Sequence, residues 1–462
     1  MKSLSDYRWP LMNPNHKPFA HQVEGVKFHL AHPRSYNLSD IGTGKTLMAL
    51  WAADILIELG VAKKVLVATP LSTVQVVWGY ELFTNFPHRY YAIAHGSREE
   101  RRRAITSEAH FVIINHDGVN ICELELIAQK FDLIIIDEMT AYKNAQTDKN
   151  KAMRRIAPKA KGVIGMTGLP TPNSPTEAYG QAKVVNPKNP LLPVYYTQFR
   201  DMVVQQVAQG VFVPKPNSSD IVHQVLQPAV RFTRDECLDI PPVFHQHLEL
   251  DMTPEQKELY ERMRKQLYIE YEAGAITAVN AGVKLNKLLQ IAAGAVINDD
   301  GNVLICDAIN KINMIIQTFE ELGRTKLIVA AAYKAVVERL CSLLQGKGID
   351  CQYIHGGIGQ KVRTQYLNDF QYGSLGMLIM QPECVAHGIT LTATSTIVWQ
   401  SMVASGETYE QFNGRITRAG QDKKQYVKHL ISCSAERRIV NILEGKTDLS
   451  HEVLNLFANQ EI

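Results

Sequence analysis

One run of the sequence has the residue types and spacing of a phosphate-binding loop, and its polar and glycine positions are Asp40, Gly42, Thr43, Gly44, Lys45 and Thr46. It follows an apolar stretch and precedes the helix-forming segment 47–53. Glycines let backbone N–H groups turn toward phosphates, Lys45 can neutralise terminal phosphate charge, and the Thr46 hydroxyl can ligate Mg²⁺. The common pattern has glycine where this chain has Ser39, so the match is to a variant loop. Nucleotide binding is the first hypothesis.

A pair of carboxylates, Asp137 and Glu138, follows the four apolar residues 133–136. Ligands of open α/β sheets bind at the carboxyl ends of the strands, so a strand-end acid pair is placed for chemistry. Asp137 is predicted to hold Mg²⁺, and Glu138 to position or deprotonate an attacking water, as phosphoryl transfer requires. An acid pair that only caps a helix is the alternative for these two residues.

Short β-branched runs separated by helical patterns must position these groups. In the first half of the chain the runs are 65–68, 111–114, 133–136 and 163–166. In the second half they are 326–330, 352–354, 377–380, 396–399 and 426–430. The alternation is typical of parallel sheets with crossover helices, so we expect two α/β lobes in tandem.

The lobes are expected to divide near Ile240, where a proline-rich and turn-rich stretch ends at Pro241-Pro242. This gives an N-terminal lobe over 1–240 and a C-terminal lobe over 241–462. Helical insertions are predicted near 186–239 and near 254–300. Within the second insertion, Pro254 at a first turn and early acidic residues predict a helix to Tyr271.

Composition excludes several classes of protein. Hydrophobic residues make up 45% and charged residues 21% of the 462 residues, without low-complexity tracts, so neither a disordered chain nor a repeat array is expected. The seven cysteines form no C-x-x-C pair and the fifteen histidines show no metal-ligand spacing, so we expect neither a zinc site nor a disulfide framework. The net charge of +3 leaves the partner open.

The sequence contains no signal-like apolar segment at its start and no apolar run near the roughly 18 residues that a membrane span needs. The prediction is a protein without membrane association, in a reducing, cytoplasmic compartment of a bacterium or of a phage-infected host.

Further segments occur in a characteristic order: Pro18-Phe19-Ala20-His21-Gln22, Ala68-Thr69-Pro70-Leu71, Asn115-His116-Asp117, Met166-Thr167-Gly168-Leu169-Pro170-Thr171-Pro172-Asn173, Ala386-His387-Gly388-Ile389-Thr390-Leu391-Thr392, and Gln411-Phe412-Asn413-Gly414-Arg415-Ile416-Thr417-Arg418-Ala419-Gly420-Gln421. Together with the glycine-rich loop and the acid pair, they resemble the Swi/Snf-type branch of superfamily-two helicase-like ATPases, particularly the compact versions encoded by bacteriophages and prophages.

The resemblance implies residue roles. Gln22 would read the adenine edge, and Gly388 would allow close backbone approach to the nucleotide. Arg415 and Arg418, three residues apart, would lie on one helix face and complete the ATP site from across a cleft. Contacts to the nucleic-acid backbone are expected from Thr69, Pro70, Asn115, Thr167, Gly168, Thr390 and Thr392.

The resemblance also implies a fold and an activity. The fold is two tandem RecA-like parallel-sheet lobes with an ATP cleft between them, and ATP and Mg²⁺ are the expected cofactors. The activity is ATP-dependent translocation, by a monomer, on double-stranded or branched DNA without sequence preference, in fork regression, branch migration or remodelling. The sequence departs from the family pattern at Leu169, at 403–406 and directly after Glu138.

Two alternatives remain open. The chain could be an RNA-stimulated helicase ATPase, which RNA but not DNA would activate. It could also be an ATP-gated nucleic-acid clamp without turnover, although Glu138 and both arginines argue against a protein that does not hydrolyse ATP.

Overall fold

A computed structural model describes residues 6–11, 17–208, 211–237, 241–272, 278–297, 302–384, 391–417 and 421–445. The chain divides into two compact units, Met1–Asp239 and Ile240–Ile462. Each unit is built around one large parallel sheet with helices on both faces.

The first unit contains a parallel sheet in the order β3-β4-β2-β5-β6-β1-β9 and an antiparallel hairpin, β7-β8. Its strands are Arg34–Asn37 (β1), Val65–Thr69 (β2), Tyr91–Ala94 (β3), Phe111–Asn115 (β4), Leu133–Asp137 (β5), Gly162–Met166 (β6), Val204–Ala208 (β7), Val211–Pro214 (β8) and Ala229–Val230 (β9). Its helices are Ala20–Ala31 (α1), Lys45–Glu58 (α2), Tyr80–Asn85 (α3), Arg98–Thr106 (α4), His116–Ile121 (α5), Glu123–Gln129 (α6), Asp148–Ile156 (α7), Ala178–Val185 (α8), Tyr196–Val203 (α9), Ser218–Val225 (α10) and Arg234–Cys237 (α11).

The second unit contains a parallel sheet in the order β10-β17-β16-β13-β15-β14 and an antiparallel pair, β11-β12. Its strands are Val243–Glu249 (β10), Ala295–Ile297 (β11), Val303–Ile305 (β12), Leu327–Ala330 (β13), Cys351–Ile354 (β14), Met377–Met380 (β15), Thr396–Trp399 (β16) and Gln425–Ile431 (β17). Its helices are Pro254–Glu272 (α12), Ala278–Ala293 (α13), Ile309–Glu321 (α14), Lys334–Gly346 (α15), Gln360–Tyr372 (α16), Gly406–Asn413 (α17) and Ser434–Leu443 (α18).

Burial on both faces explains why the central strands are continuous apolar runs. In β2, Leu66 packs into one core cluster and Val65 and Val67 pack into the cluster on the other face. In β13, Ile328 and Val329 divide in the same way between two clusters. Strands buried on both faces cannot alternate with polar residues, which is typical of parallel sheets covered by crossover helices.

The predicted fold class is confirmed, and so is every predicted strand and the helix that begins at Pro254. The sequence pattern did not predict β1, β3, β9, β10 or the two antiparallel pairs. The segment at 186–239 contains the β7-β8 hairpin as well as the helices α9, α10 and α11. Within the described ranges, none of the helices is both long enough and apolar enough to cross a bilayer.

Candidate nucleotide site

The loop between β1 and α2 has a backbone that requires glycine. Gly42 has φ +92° and Gly44, the N-cap of α2, has φ +86°, which is the left-handed region that other residues rarely adopt. A methyl group built on Gly44 would lie 2.2 Å from Gln22 Nε2. The glycines therefore provide both the turn and the space that this loop needs.

Lys45 begins α2 and folds back over the loop. Its Nζ donates to Ser39 O at 2.6 Å and to Asp40 O at 3.0 Å, and Thr43 Oγ1 donates to Asp40 O at 2.9 Å. The ammonium group thus lies beside the N-terminus of a helix, where backbone N–H groups and the helix dipole both favour an anion. Thr46 is the second residue of the same helix. This arrangement suits a phosphate group.

Helix α1 is tied to the same loop. His21 Nε2 lies 2.9 Å from Thr43 O, and Gln22 Nε2 donates to Thr43 O at 3.3 Å. The other end of the Gln22 amide accepts from Phe19 N at 3.0 Å. The structure therefore places Gln22 against the loop, and its predicted reading of adenine stays a prediction.

Asp40 faces a segment that the sequence reading did not single out. Its carboxylate pairs with Arg231 Nη2 at 3.1 Å and accepts from Arg234 N at 3.1 Å, while Phe232 N donates to Ser39 Oγ at 3.1 Å. The segment follows β9, which pairs with β1. Asp40 thus supports the loop from outside, and the only sequence signal was two arginines shortly before the lobe boundary.

Asp137 ends β5 and is held by two neutral donors. Its Oδ2 accepts from Trp78 Nε1 at 2.9 Å and from Thr69 Oγ1 at 3.1 Å. Burial raises the pKa of the carboxyl, while these bonds and the nearby charge of Lys45 lower it. Strand β6 pairs with β1 on one side and with β5 on the other, so the loop after β1 and the acid pair at the end of β5 lie at the same edge of the sheet.

Glu138 has φ +50°, in the left-handed region. A non-glycine residue in that region stores about 1–3 kcal/mol of strain, and such residues cluster at functional sites. Glu138 precedes the turn Met139–Tyr142, and the strained backbone turns the chain directly after the buried strand.

Thr69 is fully buried, and its hydroxyl also contacts Thr73 Oγ1 at 2.6 Å. In the structure this side chain bonds to Asp137, whereas the sequence pattern predicts that it contacts nucleic acid. Pro70 is half-buried beside it. Asn115 is the register partner of Thr69, and its Oδ1 accepts from Arg101 Nη1 at 3.0 Å.

Thr167 and Gly168 lie beside the loop between β1 and α2. Thr167 N donates to Asn37 O at 3.1 Å, and a methyl group built on Gly168 would lie 3.5 Å from Ser39 O. The segment after β6 therefore touches the loop after β1.

In the second unit, Arg415 is only 2% exposed. The prediction that it lies on a helix is wrong, because α17 ends at Asn413. Gly414 follows at the C-cap, and Arg415 N and Ile416 N bond three residues back, to Phe412 O and Asn413 O, in tight turns.

The other predicted residues of the second unit are only partly described. Thr392 Oγ1 accepts from Gln371 Nε2 at 3.2 Å. Gly388, Thr390 and Arg418 lie outside the described residues.

Two family models match this chain. The SNF2-related domain covers residues 21–298, more than half of the sequence, and the Helicase conserved C-terminal domain covers residues 310–420. The chain belongs to the SNF2-related family. The resemblance to Swi/Snf-type ATPases that the motifs indicated is thereby confirmed.

Relatives of this SNF2-family chain include proteins of phage, animals and bacteria. Protein p41 of Acyrthosiphon pisum secondary endosymbiont phage 1 is 26% identical, over 90% of this chain and 92% of its own length. The Drosophila melanogaster SWI/SNF-related matrix-associated actin-dependent regulator of chromatin subfamily A-like protein 1 is 23% identical, over 94% of this chain and 55% of its own length. The chain thus spans about half the length of that animal relative.

The Bacillus subtilis ATP-dependent helicase YqhH is 22% identical, over 97% of this chain and 81% of its own length. Among solved structures, the Sulfolobus solfataricus SWI2/SNF2 ATPase core in complex with dsDNA matches with a TM-score of 0.47 and 19% identity, over 97% of this chain and 94% of that one.

Proposed function

We propose that this SNF2-family helicase-like ATPase is a translocase that moves on duplex or branched DNA, binds without sequence preference and remodels branched or forked structures. The observation that carries the proposal is that β6 pairs with both β1 and β5, so the Lys45 loop after β1 and the Asp137-Glu138 pair at the end of β5 lie at one edge of the sheet. A glycine-rich loop and a strand-end acid are the two parts that phosphoryl transfer needs together.

The residues of the first unit fit ATP with Mg²⁺. Gly42 and Gly44 leave a backbone cradle, and Lys45 offers a positive charge at a helix N-terminus. Thr46 and Asp137 supply the oxygen ligands that Mg²⁺ prefers. When bound, Mg²⁺ would neutralise phosphate charge and favour the ionised form of Asp137, which burial otherwise disfavours.

Glu138 is proposed to orient or deprotonate the attacking water. Arg415 and Arg418 are proposed to stabilise charge on the transferring phosphoryl group. For the two arginines the support is the family pattern, and for Glu138 it is also its position next to Asp137. Because Arg415 and Arg418 belong to the second unit and the other proposed catalytic residues belong to the first, substitutions in either unit should lower ATP turnover.

The proposed substrate is DNA. Relatives named as ATP-dependent helicases and as SWI/SNF-related regulators of chromatin support a nucleic-acid motor. Binding through phosphates would be independent of sequence and would weaken steeply as salt is raised.

A panel of phosphate-release assays tests the proposal. Single-stranded DNA, duplex DNA, a four-way junction and RNA are each added at the same nucleotide concentration. Duplex or junction DNA is expected to stimulate turnover most. Stimulation by RNA alone would select an RNA-dependent ATPase, and no release with any polymer would select an ATP-gated clamp. Lys45→Ala should abolish the signal, whereas the exposed Lys27→Ala on α1 should not.

A further inference from the structure

Three histidines and one glutamate meet in the second unit, away from its helicase motifs. His245 and His247 are two residues apart on β10, so both point to the same face of the sheet. His429 on β17 is the register partner of His247. Glu444 directly follows α18, which packs on the same unit's core.

The potential ligand atoms of this histidine cluster lie close together. Glu444 Oε1 is 2.7 Å from His247 Nε2, 3.7 Å from His245 Nδ1 and 3.9 Å from His429 Nδ1. One ligand atom each of His245, His429 and Glu444 lie within 4.8 Å of one another. The side chain of His429 is 0% exposed and that of Glu444 is 9% exposed, whereas that of His245 is 38% exposed. The cluster is therefore buried at His429 and Glu444 and open to solvent at His245.

His429 Nδ1 is buried and has no hydrogen-bond partner. The other ring nitrogen, Nε2, lies 2.8 Å from the Tyr409 hydroxyl. If Nε2 donates its proton to Tyr409, Nδ1 presents a lone pair toward Glu444, and a buried polar atom of this kind requires an explanation.

A second group of possible metal ligands in the described part of the chain consists of Asp54, Glu58 and His88, and we do not propose a metal site there. Asp54 accepts from Arg89 Nε at 2.5 Å and from the Tyr7 hydroxyl at 2.5 Å. The guanidinium already provides the positive charge that a metal ion would bring there.

We propose that His245, His429 and Glu444 bind one Zn²⁺ ion, with His247 orienting the carboxylate and Tyr409 orienting the His429 ring. Imidazole nitrogens and a carboxylate oxygen, without thiolate, are ligands that Zn²⁺ accepts. Ligand atoms about 2.0–2.1 Å from Zn²⁺ are roughly 3.3 Å apart in a tetrahedron, and the separations of 3.7 Å and 3.9 Å from Glu444 Oε1 are close to this value. A partner on the second ring nitrogen is the usual support of a metal-binding histidine.

The ion would join β10, β17 and the end of α18. It would connect the first strand of the second unit to the last helix described there, and so would stabilise that unit. This inference does not depend on the proposed function, since none of the cluster residues is assigned to nucleotide or DNA binding.

Zinc content and affinity test the proposal directly. The full chain is stripped with a chelator, titrated with Zn²⁺ by calorimetry, and analysed for bound zinc after desalting. One equivalent is expected in the wild type and in the control His88→Ala. His245→Ala and Glu444→Gln should lose it, with the fold checked by circular dichroism. A folded wild type that binds no zinc, or His245→Ala that still binds one equivalent, would overturn the proposal.

Two further readouts separate a metal site from a polar network. Zn²⁺ should raise the unfolding midpoint of the wild type but not that of His245→Ala, because a ligand stabilises only the state that binds it. Tyr409→Phe removes the hydroxyl that lies 2.8 Å from His429 Nε2 and 3.2 Å from His245 Nδ1, and it should weaken zinc affinity by about 10- to 100-fold. Unchanged affinity in Tyr409→Phe would contradict the positioning role.

Discussion

Two aspartates of the first unit have different partners. Asp54, in the middle of α2, is bound by the Arg89 guanidinium and by the Tyr7 hydroxyl, so its charge is balanced inside the protein. Asp137, at the end of β5, accepts from neutral donors such as Trp78 Nε1, and desolvation raises the pKa of its carboxyl. The first arrangement is that of a structural acid, whereas the second suits the Mg²⁺-binding role proposed for Asp137.

The largest expected effect comes from exchanging each of these acids for its amide. Asp137→Asn should reduce ATP turnover by at least about 10²-fold and leave the free energy of unfolding unchanged or higher, because desolvation disfavours the charged carboxylate in the folded protein. Asp54→Asn should lower the free energy of unfolding by about 3–5 kcal/mol, because Arg89 loses its buried partner. Denaturant unfolding and phosphate release are measured on both variants. Loss of turnover in folded Asp54→Asn, or a large loss of stability in Asp137→Asn, would break the comparison.

Gly44 tests the loop that faces Asp137. Gly44→Ala combines a φ of +86° with a methyl group 2.2 Å from Gln22 Nε2, so ATP affinity should fall by about 10-fold or more. Gly60 also has a positive φ, +70°, but nothing lies within 4 Å of an added methyl group. Gly60→Ala should therefore cost only about 1 kcal/mol of stability and leave ATP affinity unchanged. Equal ATP affinities in the two variants would contradict the proposal that the Gly44 loop binds ATP.

A substitution at Thr69 tests whether the end of β2 supports Asp137 or contacts DNA. Thr69→Val keeps the shape and removes the hydroxyl bonded to Asp137. Turnover should fall by about 10-fold, as expected for the loss of a bond that orients a metal ligand, while DNA affinity stays the same. Weaker DNA binding with normal turnover would return Thr69 to the nucleic-acid surface. Thr106→Val, an exposed hydroxyl on α4, is the control.

The fold could be predicted because the central strands are apolar runs that no other arrangement would bury. The loop and the acid pair could be predicted because each functional group is local in sequence. The contacts of Asp40 with Arg231 and Arg234 could not, since they join residues far apart in the chain. The histidine cluster was missed for the same reason.

The helix predicted through Arg415 failed for a local reason. The arginine spacing fits a helix face, but α17 ends at Asn413, and Arg415 N and Ile416 N bond to residues three positions back. Periodicity predicts which residues share a face only if the helix continues through both of them.

A buried histidine on α1, His29, should make the stability of the first unit depend on pH. His29 lies 2.9 Å from Ser35 Oγ and 3.3 Å from Asn37 Nδ2, and burial, with a smaller effect of His32, lowers its pKa to about 4. The unfolded chain takes up a proton near pH 6.5 that the folded chain refuses until about pH 4. Stability should therefore fall as pH is lowered through this window, by at most about 1.4 kcal/mol per pH unit.

His29→Gln should flatten this pH dependence of the free energy of unfolding, and the exposed His223→Gln should not. An identical slope in wild type and His29→Gln would assign the acid sensitivity to other groups.

The most direct test of the account is phosphate release with duplex DNA by the wild type and by Glu138→Gln, with ATP and DNA affinities measured on the same preparations. The account predicts DNA-stimulated turnover in the wild type. Glu138→Gln should bind ATP normally, lose turnover by about 10²-fold or more, and remain bound to DNA in the presence of ATP. Hydrolysis by Glu138→Gln at the wild-type rate would contradict the assignment of the acid pair and the motor built on it.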